Sequence, residues 1–138
     1  MVRVLKNTYL VAIFVLCTAT ACSAQEAAPG AQSFWKEFRQ AIIAGNSKRL
    51  ISLTQFPLEL RGVVDDVPTK LIEQGQFNDV FTKVLSQPVV SFDEDKIITQ
   101  STKDIVVATQ SISETDMMTK DSFRVDQLSF ELKNKKWK

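Results

Sequence analysis

The feature of this sequence that most limits how it can fold is the absence of cysteine after Cys22. The start of the chain has the pattern of an export signal, and small exported domains often rely on disulfides. Residues 25–138 can form none, so the domain must be stable through packing alone. The side chains for this are present, because only Phe14 of the 9 Phe precedes Cys22 and both Trp follow it.

The export signal is predicted over residues 1–24. Arg3 and Lys6 form the basic start, and residues 9–17 form an apolar run. That run is well short of the ~20 residues that span a bilayer. The segment therefore indicates export and removal rather than a membrane span.

Two processing routes are open at the end of this segment. A cut after Ala24 is the favoured one, and it would release a soluble periplasmic or secreted product. Residues 19–22 also resemble a bacterial lipoprotein processing box, in which Cys22 would be lipidated and tie the chain to the outer membrane. In both cases residues 25–32 are predicted to be a flexible spacer.

Residues 33–138 are predicted to be a single α+β domain that begins with helices. Ser33 is the expected N-cap of the first helix, whose apolar stripe recurs at helical spacing. That stripe consists of Phe34, Trp35, Phe38, Ala41 and Ile42. Gly45 is expected to end the helix, and a second short helix is expected after it.

Shorter elements follow. A short strand is predicted around Leu58 and Leu60, and another helix over the later part of residues 69–85. From Val89 onward the sequence is typical of antiparallel strands, which favours helices packed on one face of a sheet.

Four details of this second half are predicted. A strand includes residues 105–107 and Ile112, and residues 113–120 form a hairpin loop. One long strand runs through residues 123–132, with a β-bulge near Asp126 where the apolar parity changes. A tight turn precedes Trp137, so the final strand is short or missing and leaves an open sheet edge.

This order of elements resembles the NTF2-like, or cystatin-like, superfamily of cone-shaped α+β domains, in particular its small exported bacterial members. The resemblance rests on residues 34–38, 50–58, 77–85 and 130–138. It implies helices packed on a curved antiparallel sheet around a cone-shaped interior. It also implies a ligand pocket in that cone, and in some members of the superfamily an acidic general base.

Several classes of chemistry lack the residues they need. The chain has no His, and its only Tyr, Tyr9, lies in the signal. His-based catalysis and zinc ligation by His or Cys therefore have no donors. With a formal net charge of +1 there is no basic face for nucleic acid. No cofactor and no metal site is expected, because Asp65–Asp66 and residues 93–95 are better interpreted as solvated turns.

Eight residues are candidates for a ligand pocket. Aromatic side chains would form the wall of the cone, and one or two arginines could bind an anion. These residues are Phe34, Trp35, Phe38, Arg61, Phe77, Phe81, Arg124 and Phe130. For each of them, ordinary core packing or a surface ion pair is the competing interpretation.

The resulting hypothesis is a non-catalytic binding or assembly role in the cell envelope. The partner would be a small apolar ligand in the cone or an envelope protein at the open sheet edge, and a homodimer is one form of this. One alternative is an isomerase- or hydrolase-like enzyme with a pocket carboxylate, for which Glu59, Asp126 and Glu131 were considered. The other alternative is a lipid-anchored envelope component that contacts the membrane only through Cys22.

The mature amino terminus distinguishes the processing routes. We expect mass spectrometry of the protein from its own envelope to find a free Gln25, because residues 22–24 fit a signal peptidase site. A diacylated Cys22 would contradict this and establish the lipid anchor.

Overall fold

A computed structural model describes residues 30–62, 67–93 and 96–138 of the chain. The predicted export signal, Cys22 and Asp65–Asp66 lie outside these residues, as do most of the predicted spacer and two of the acidic residues at 93–95. The helices are α1 (Ala31–Ile43), α2 (Ser47–Leu53), α3 (Phe77–Leu85) and α4 (Thr102–Ala108). The strands are β1 (Leu58–Leu60), β2 (Lys70–Ile72), β3 (Pro88–Asp93), β4 (Lys96–Ser101), β5 (Met117–Thr119), β6 (Ser122–Val125), β7 (Leu128–Lys133) and β8 (Lys136–Trp137).

The mixed α+β class is confirmed, and every strand pair described is antiparallel. The strands do not form one continuous sheet, however. Two two-stranded sheets, β1–β2 and β3–β4, stand beside a four-stranded sheet of order β5-β6-β7-β8. None of the described helices is long and apolar enough to cross a membrane.

Helix α1 has the apolar stripe that the sequence predicted, and all five of its members are buried. The helix begins at Ala31. Its N-cap is Gly30, three residues before the predicted cap at Ser33. It ends as predicted, since Gly45 has φ 63° and its N–H donates to the carbonyl of Ile42. A side chain there would be strained, which explains the glycine. Asn46 then caps α2 by accepting from the N–H of Arg49.

The predicted strand at residues 105–107 is wrong, because these residues belong to helix α4. Ser101 and Asp104 form a reciprocal capping box at its start. This local signal favours a helix, although the β-branched run that follows it is typical of a strand. Packing adds to it, since Val106 is fully buried in the core.

The segment from α4 to Ile112 is held by side chains of α1 rather than by a neighbouring strand. Gln32 donates to the carbonyl of Ile112 at 2.6 Å, and Trp35 Nε1 donates to the carbonyl of Thr109 at 2.9 Å. Arg39 donates to the carbonyl of Val107 from Nε at 3.0 Å. These three residues are spaced three and four apart and share one face of α1. They satisfy backbone carbonyls that a sheet would otherwise have to satisfy.

The predicted bulge near Asp126 is wrong as well, and the parity change marks a hairpin turn. Asp126 has φ 52°, and strands β6 and β7 pair across it with Val125 opposite Leu128. A two-residue turn and a bulge shift the parity of the apolar residues in the same way, so the pattern alone does not separate them.

Two strands were not predicted. Strand β2 pairs Ile72 with Leu58 of β1, and β5 occupies residues 117–119 of the predicted loop. Both strands are only three residues long, which is too short to show a clear alternation. The short final strand is confirmed, because β8 has two residues and pairs Trp137 with Leu132.

Aromatic side chains fill the space between the helices and the four-stranded sheet. Phe123 and Phe130 stack at 4.7 Å between ring centroids, and Phe38 contacts Phe130 edge-on at 4.9 Å. Trp137 closes the far side, 5.2 Å from Phe123. The domain is thus held by contacts between α1 and the β6–β7 hairpin.

Two substitutions of the same kind test this assignment. We expect Phe123→Ala to lower the free energy of unfolding by about 3–5 kcal/mol, because Phe123 is fully buried. Phe92→Ala should change it by less than about 0.5 kcal/mol, since Phe92 is 78% exposed. Urea unfolding followed by tryptophan fluorescence measures both, and equal losses would contradict the proposed core.

Candidate functional site

The six aromatic pocket candidates lie together and pack on one another. Phe34, Trp35, Phe38 and Phe130 form one group, and Phe81 joins it through an edge contact with Phe38 at 6.2 Å. Phe77 stacks on Phe81 at 4.8 Å. Each of the six is at most 8% exposed. Side chains therefore fill the space among Phe34, Trp35, Phe38 and Phe130, whereas Phe77 and Phe81 also line a groove between the helices.

The two arginine candidates are on the surface, away from that aromatic group. Arg61 pairs with Glu59 at 2.9 Å, and their side chains are 78% and 56% exposed. Arg124 is also exposed, and its Nε donates to the carbonyl of Asp126 at 2.7 Å. Neither arginine is positioned to bind an anion inside the domain.

The carboxylates that an enzyme would need form ion pairs or hydrogen bonds with other side chains. Glu131 pairs with Lys133 at 2.9 Å, and both side chains are more than half exposed. Asp126 accepts from the hydroxyl of the fully buried Thr102 at 2.9 Å. Over the described ranges no three His, Cys, Asp or Glu side chains come close enough to hold a metal ion.

A groove of about 460 Å³ lies among the helices, outside the four-stranded sheet. It runs between the end of α1, helices α2 and α3, and the β4–α4 junction. This size is within the usual range for small-molecule sites. The residues that line it are Ile42, Gly45, Ser47, Leu50, Phe77, Asn78, Phe81, Thr82, Leu85, Ser86, Ser101 and Lys103.

The groove has an apolar floor and a polar rim. Ile42, Leu50, Phe77, Phe81 and Leu85 form the floor, and hydroxyl and amide side chains form most of the rim. One lining side chain is charged, that of Lys103 in the first turn of α4. None of the described lining residues is a carboxylate, so the groove has no acidic general base of the kind an isomerase uses.

The capping box at the rim fixes the position of Lys103. Ser101 accepts from the N–H of Asp104 at 3.1 Å, and Asp104 accepts from the N–H of Ser101 at 3.0 Å. The hydrogen bonds from Ser101, followed by the nearby Lys103 charge, lower the pKa of Asp104 below its ordinary value. The carboxylate is therefore ionised and already engaged at neutral pH.

The β3–β4 hairpin presents a second unusual surface. Val90, Phe92 and Ile97 are 56%, 78% and 70% exposed. Phe92 lies opposite Ile97, and Val90 lies opposite Thr99, so these side chains share one face. On the other face Val89 and Ile98 are half-buried. The exposed apolar surface is thus confined to one side of the hairpin.

This hairpin is attached to the domain but is not part of its core. The N–H of Thr102 donates to the carbonyl of Gln87 at 3.1 Å, which closes its base. No described residue of β3 or β4 belongs to the main hydrophobic core. A two-stranded hairpin by itself is marginally stable in water, so a covering partner would stabilise it.

Sequence analysis named two residues that line the groove, Phe77 and Phe81, but predicted neither the groove itself nor the exposed face of the hairpin. Residues 89–98 were predicted to be strands, and an alternation of apolar residues does not show which face remains uncovered. Lys103 was not noticed, because its segment was predicted to lie next to a strand. The Ser101–Asp104 spacing was the available signal for both the helix and this rim.

Comparisons of this chain with protein-family models, with curated proteins and with solved structures found no match.

The capping box predicts how stability depends on acid. The pKa of Asp104 is lower in the folded state than its ordinary value of 3.8, so the unfolded state binds more protons between the two values. The contribution of Asp104 to the free energy of unfolding is complete above its pKa in the unfolded state. It is lost as pH falls through its lower pKa in the folded state. In Asp104→Asn we expect this acid-dependent part to disappear from urea unfolding curves measured across that range, and an unchanged pH profile would contradict the assignment.

Proposed function

We propose that this chain is an exported, non-catalytic assembly domain of the cell envelope, and that two copies associate through the β3–β4 hairpin. The observation that carries the proposal is the exposed face formed by Val90, Phe92 and Ile97. Contiguous exposed apolar surface on a soluble domain is typical of an interaction site. The export signal supports the location, and an anchor on Cys22 remains part of the proposal only as the alternative processing route.

A second copy fits this face because the described strand residues on it are uncharged, and the Asp104 carboxylate at its base is hydrogen-bonded to Ser101. Pro88, Thr99 and Ser101 complete it beside the three apolar residues, by the register of the hairpin. The tip charges of Asp93 and Lys96 belong to the opposite face. Two such faces can therefore pack on each other around a two-fold axis without burying an unpaired charge.

The proposed dimer is weak. Three apolar side chains per copy are few beside the roughly 20–30 residues on each side of a standard interface. We therefore expect dissociation on dilution, with a dissociation constant above about 1 µM. Such an interface suits reversible association at the high local concentration of an envelope compartment.

We also propose that the domain is related to the NTF2-like superfamily. The support is the order of elements, with α1 and α2 first and most of the antiparallel strands later, and the packing of α1 on β6 and β7. The division of the described strands into three sheets and the filled aromatic interior differ from the hollow cone that this resemblance implies. A ligand inside that cone is consequently not part of the proposal.

A charged substitution on the exposed face tests the assembly role. We expect the wild-type protein to show concentration-dependent dimerisation by sedimentation velocity, and Phe92→Asp to weaken it at least about tenfold, because each dimer would then bury two carboxylates. Ser91→Asp is the matched control, since Ser91 lies on the other face of the same strand. It should dimerise as the wild type does.

The contrary outcomes are distinct. A wild-type protein that remains monomeric at the highest concentration, or equal effects of the two aspartates, would overturn the homodimer. A monomer that retains one envelope protein, lost in Phe92→Asp and kept in Ser91→Asp, would replace the second copy with that partner.

A further inference from the structure

The helical groove places an apolar floor beside a single cation. Leu50 and Phe77 are 5% and 1% exposed, so they form a packed base beneath the groove, and the half-buried Leu85 is the more accessible apolar lining residue. Ser47 and Thr82 contribute hydroxyls to the rim, and Lys103 contributes its ammonium group at the β4–α4 junction. The groove therefore combines an apolar surface with a positive charge. A ligand that fits it would combine an apolar part with a negative charge.

The charges around the groove favour an anion. In the part of the chain that the structure describes, Lys103 forms no ion pair within 4.0 Å. The nearest acid in sequence, Asp104, is occupied by Ser101, whose N–H and hydroxyl donate to the same carboxylate oxygen at 3.0 and 2.6 Å. The ionised Asp104 still interacts with Lys103 through space and offsets part of its charge, but it forms no ion pair with the Lys103 ammonium, which can therefore bind a ligand.

The carboxyl end of α3 also reaches the groove. A hydroxyl group there donates to carbonyl groups that would otherwise repel an anion. The hydroxyl of Ser86 donates to the carbonyl of Thr82 at 2.6 Å. The same hydroxyl lies 3.3 Å from the carbonyl oxygen of Lys83. Carbonyl groups at a helix carboxyl end carry partial negative charge, and this contact satisfies part of it.

We propose that this groove binds a single-chain amphiphile with an anionic head group, with its hydrocarbon chain against Leu85 and its head at Lys103. A fatty acid and a lysophospholipid share this chemistry. The inference does not rest on the apolar residues of the hairpin, because Val90, Phe92 and Ile97 do not line the groove, although Ser101 at the base of the hairpin does.

Two dependences follow from the chemistry. Each added CH₂ group should tighten binding about fourfold until the groove is filled, because burying one contributes about 0.8 kcal/mol. Beyond that length the gain should stop. Binding should also require negative charge, so that dodecanoate and dodecyl phosphate bind while dodecyltrimethylammonium does not.

Isothermal titration calorimetry on the purified protein tests the charge. We expect Lys103→Glu to weaken dodecanoate binding about tenfold and to allow binding of dodecyltrimethylammonium. Glutamate near the start of a helix is favourable, so this variant should fold. Lys36→Glu on the exposed side of α1 is the matched control, because it changes the net charge equally outside the groove.

Amide chemical shifts in NMR spectra locate the ligand. Dodecanoate should shift the signals of Ser47, Thr82 and Ser101 and leave those of Val90 and Phe92 unchanged. Shifts confined to the hairpin, equal effects of the two lysine variants, or no binding at any chain length would each overturn the proposal. The head-group comparison separates the sources, since preference for the carboxylate indicates a fatty acid and preference for the phosphate ester a lysophospholipid.

Discussion

The contact on which the rest of the domain depends is the packing of α1 on the β6–β7 hairpin. Phe34, Trp35 and Phe38 meet Phe123 and Phe130 at ring-centroid distances between 4.9 and 6.4 Å. Edge and stacked aromatic pairs of this kind add to the burial of their area. Because no cysteine follows Cys22, this part of the chain has no internal disulfide, and the aromatic cluster is its main source of cohesion. The neighbouring face of α1 then holds the α4–Ile112 segment through three side-chain donors.

Both proposed binding surfaces depend on what this core leaves outside. The aromatic residues fill the interior, and the exposed large apolar side chains lie on the hairpin and at Ile43, Val67, Leu71 and Met118. The two surfaces meet at the base of the hairpin, where Ser86 and Ser101 line the groove and Gln87 bonds to Thr102. Binding in the groove and association through the hairpin are thus physically adjacent.

Sequence reasoning succeeded where one periodicity decided the structure. The stripe of α1, the helix from Phe77 and the pairs around Val90 and Ile97 needed only regular spacing and a stop signal. It failed at residues 105–107, where a β-branched run folds as a helix because of the Ser101–Asp104 box and the donors on α1. It failed again at Asp126, where a turn and a bulge give the same parity change. For the candidate site it placed six aromatic residues together but did not distinguish a lined pocket from a filled one.

The amino-acid sequence by itself determined the class of the domain, its reliance on aromatic packing and the absence of histidine and late cysteine chemistry. These follow from composition and spacing, which are properties of the chain alone. The tertiary structure decided which apolar residues are covered, since burial depends on contacts between segments far apart in the chain. That is why Phe123 is a core residue and Phe92 an exposed one, although both stand in short strands of similar composition.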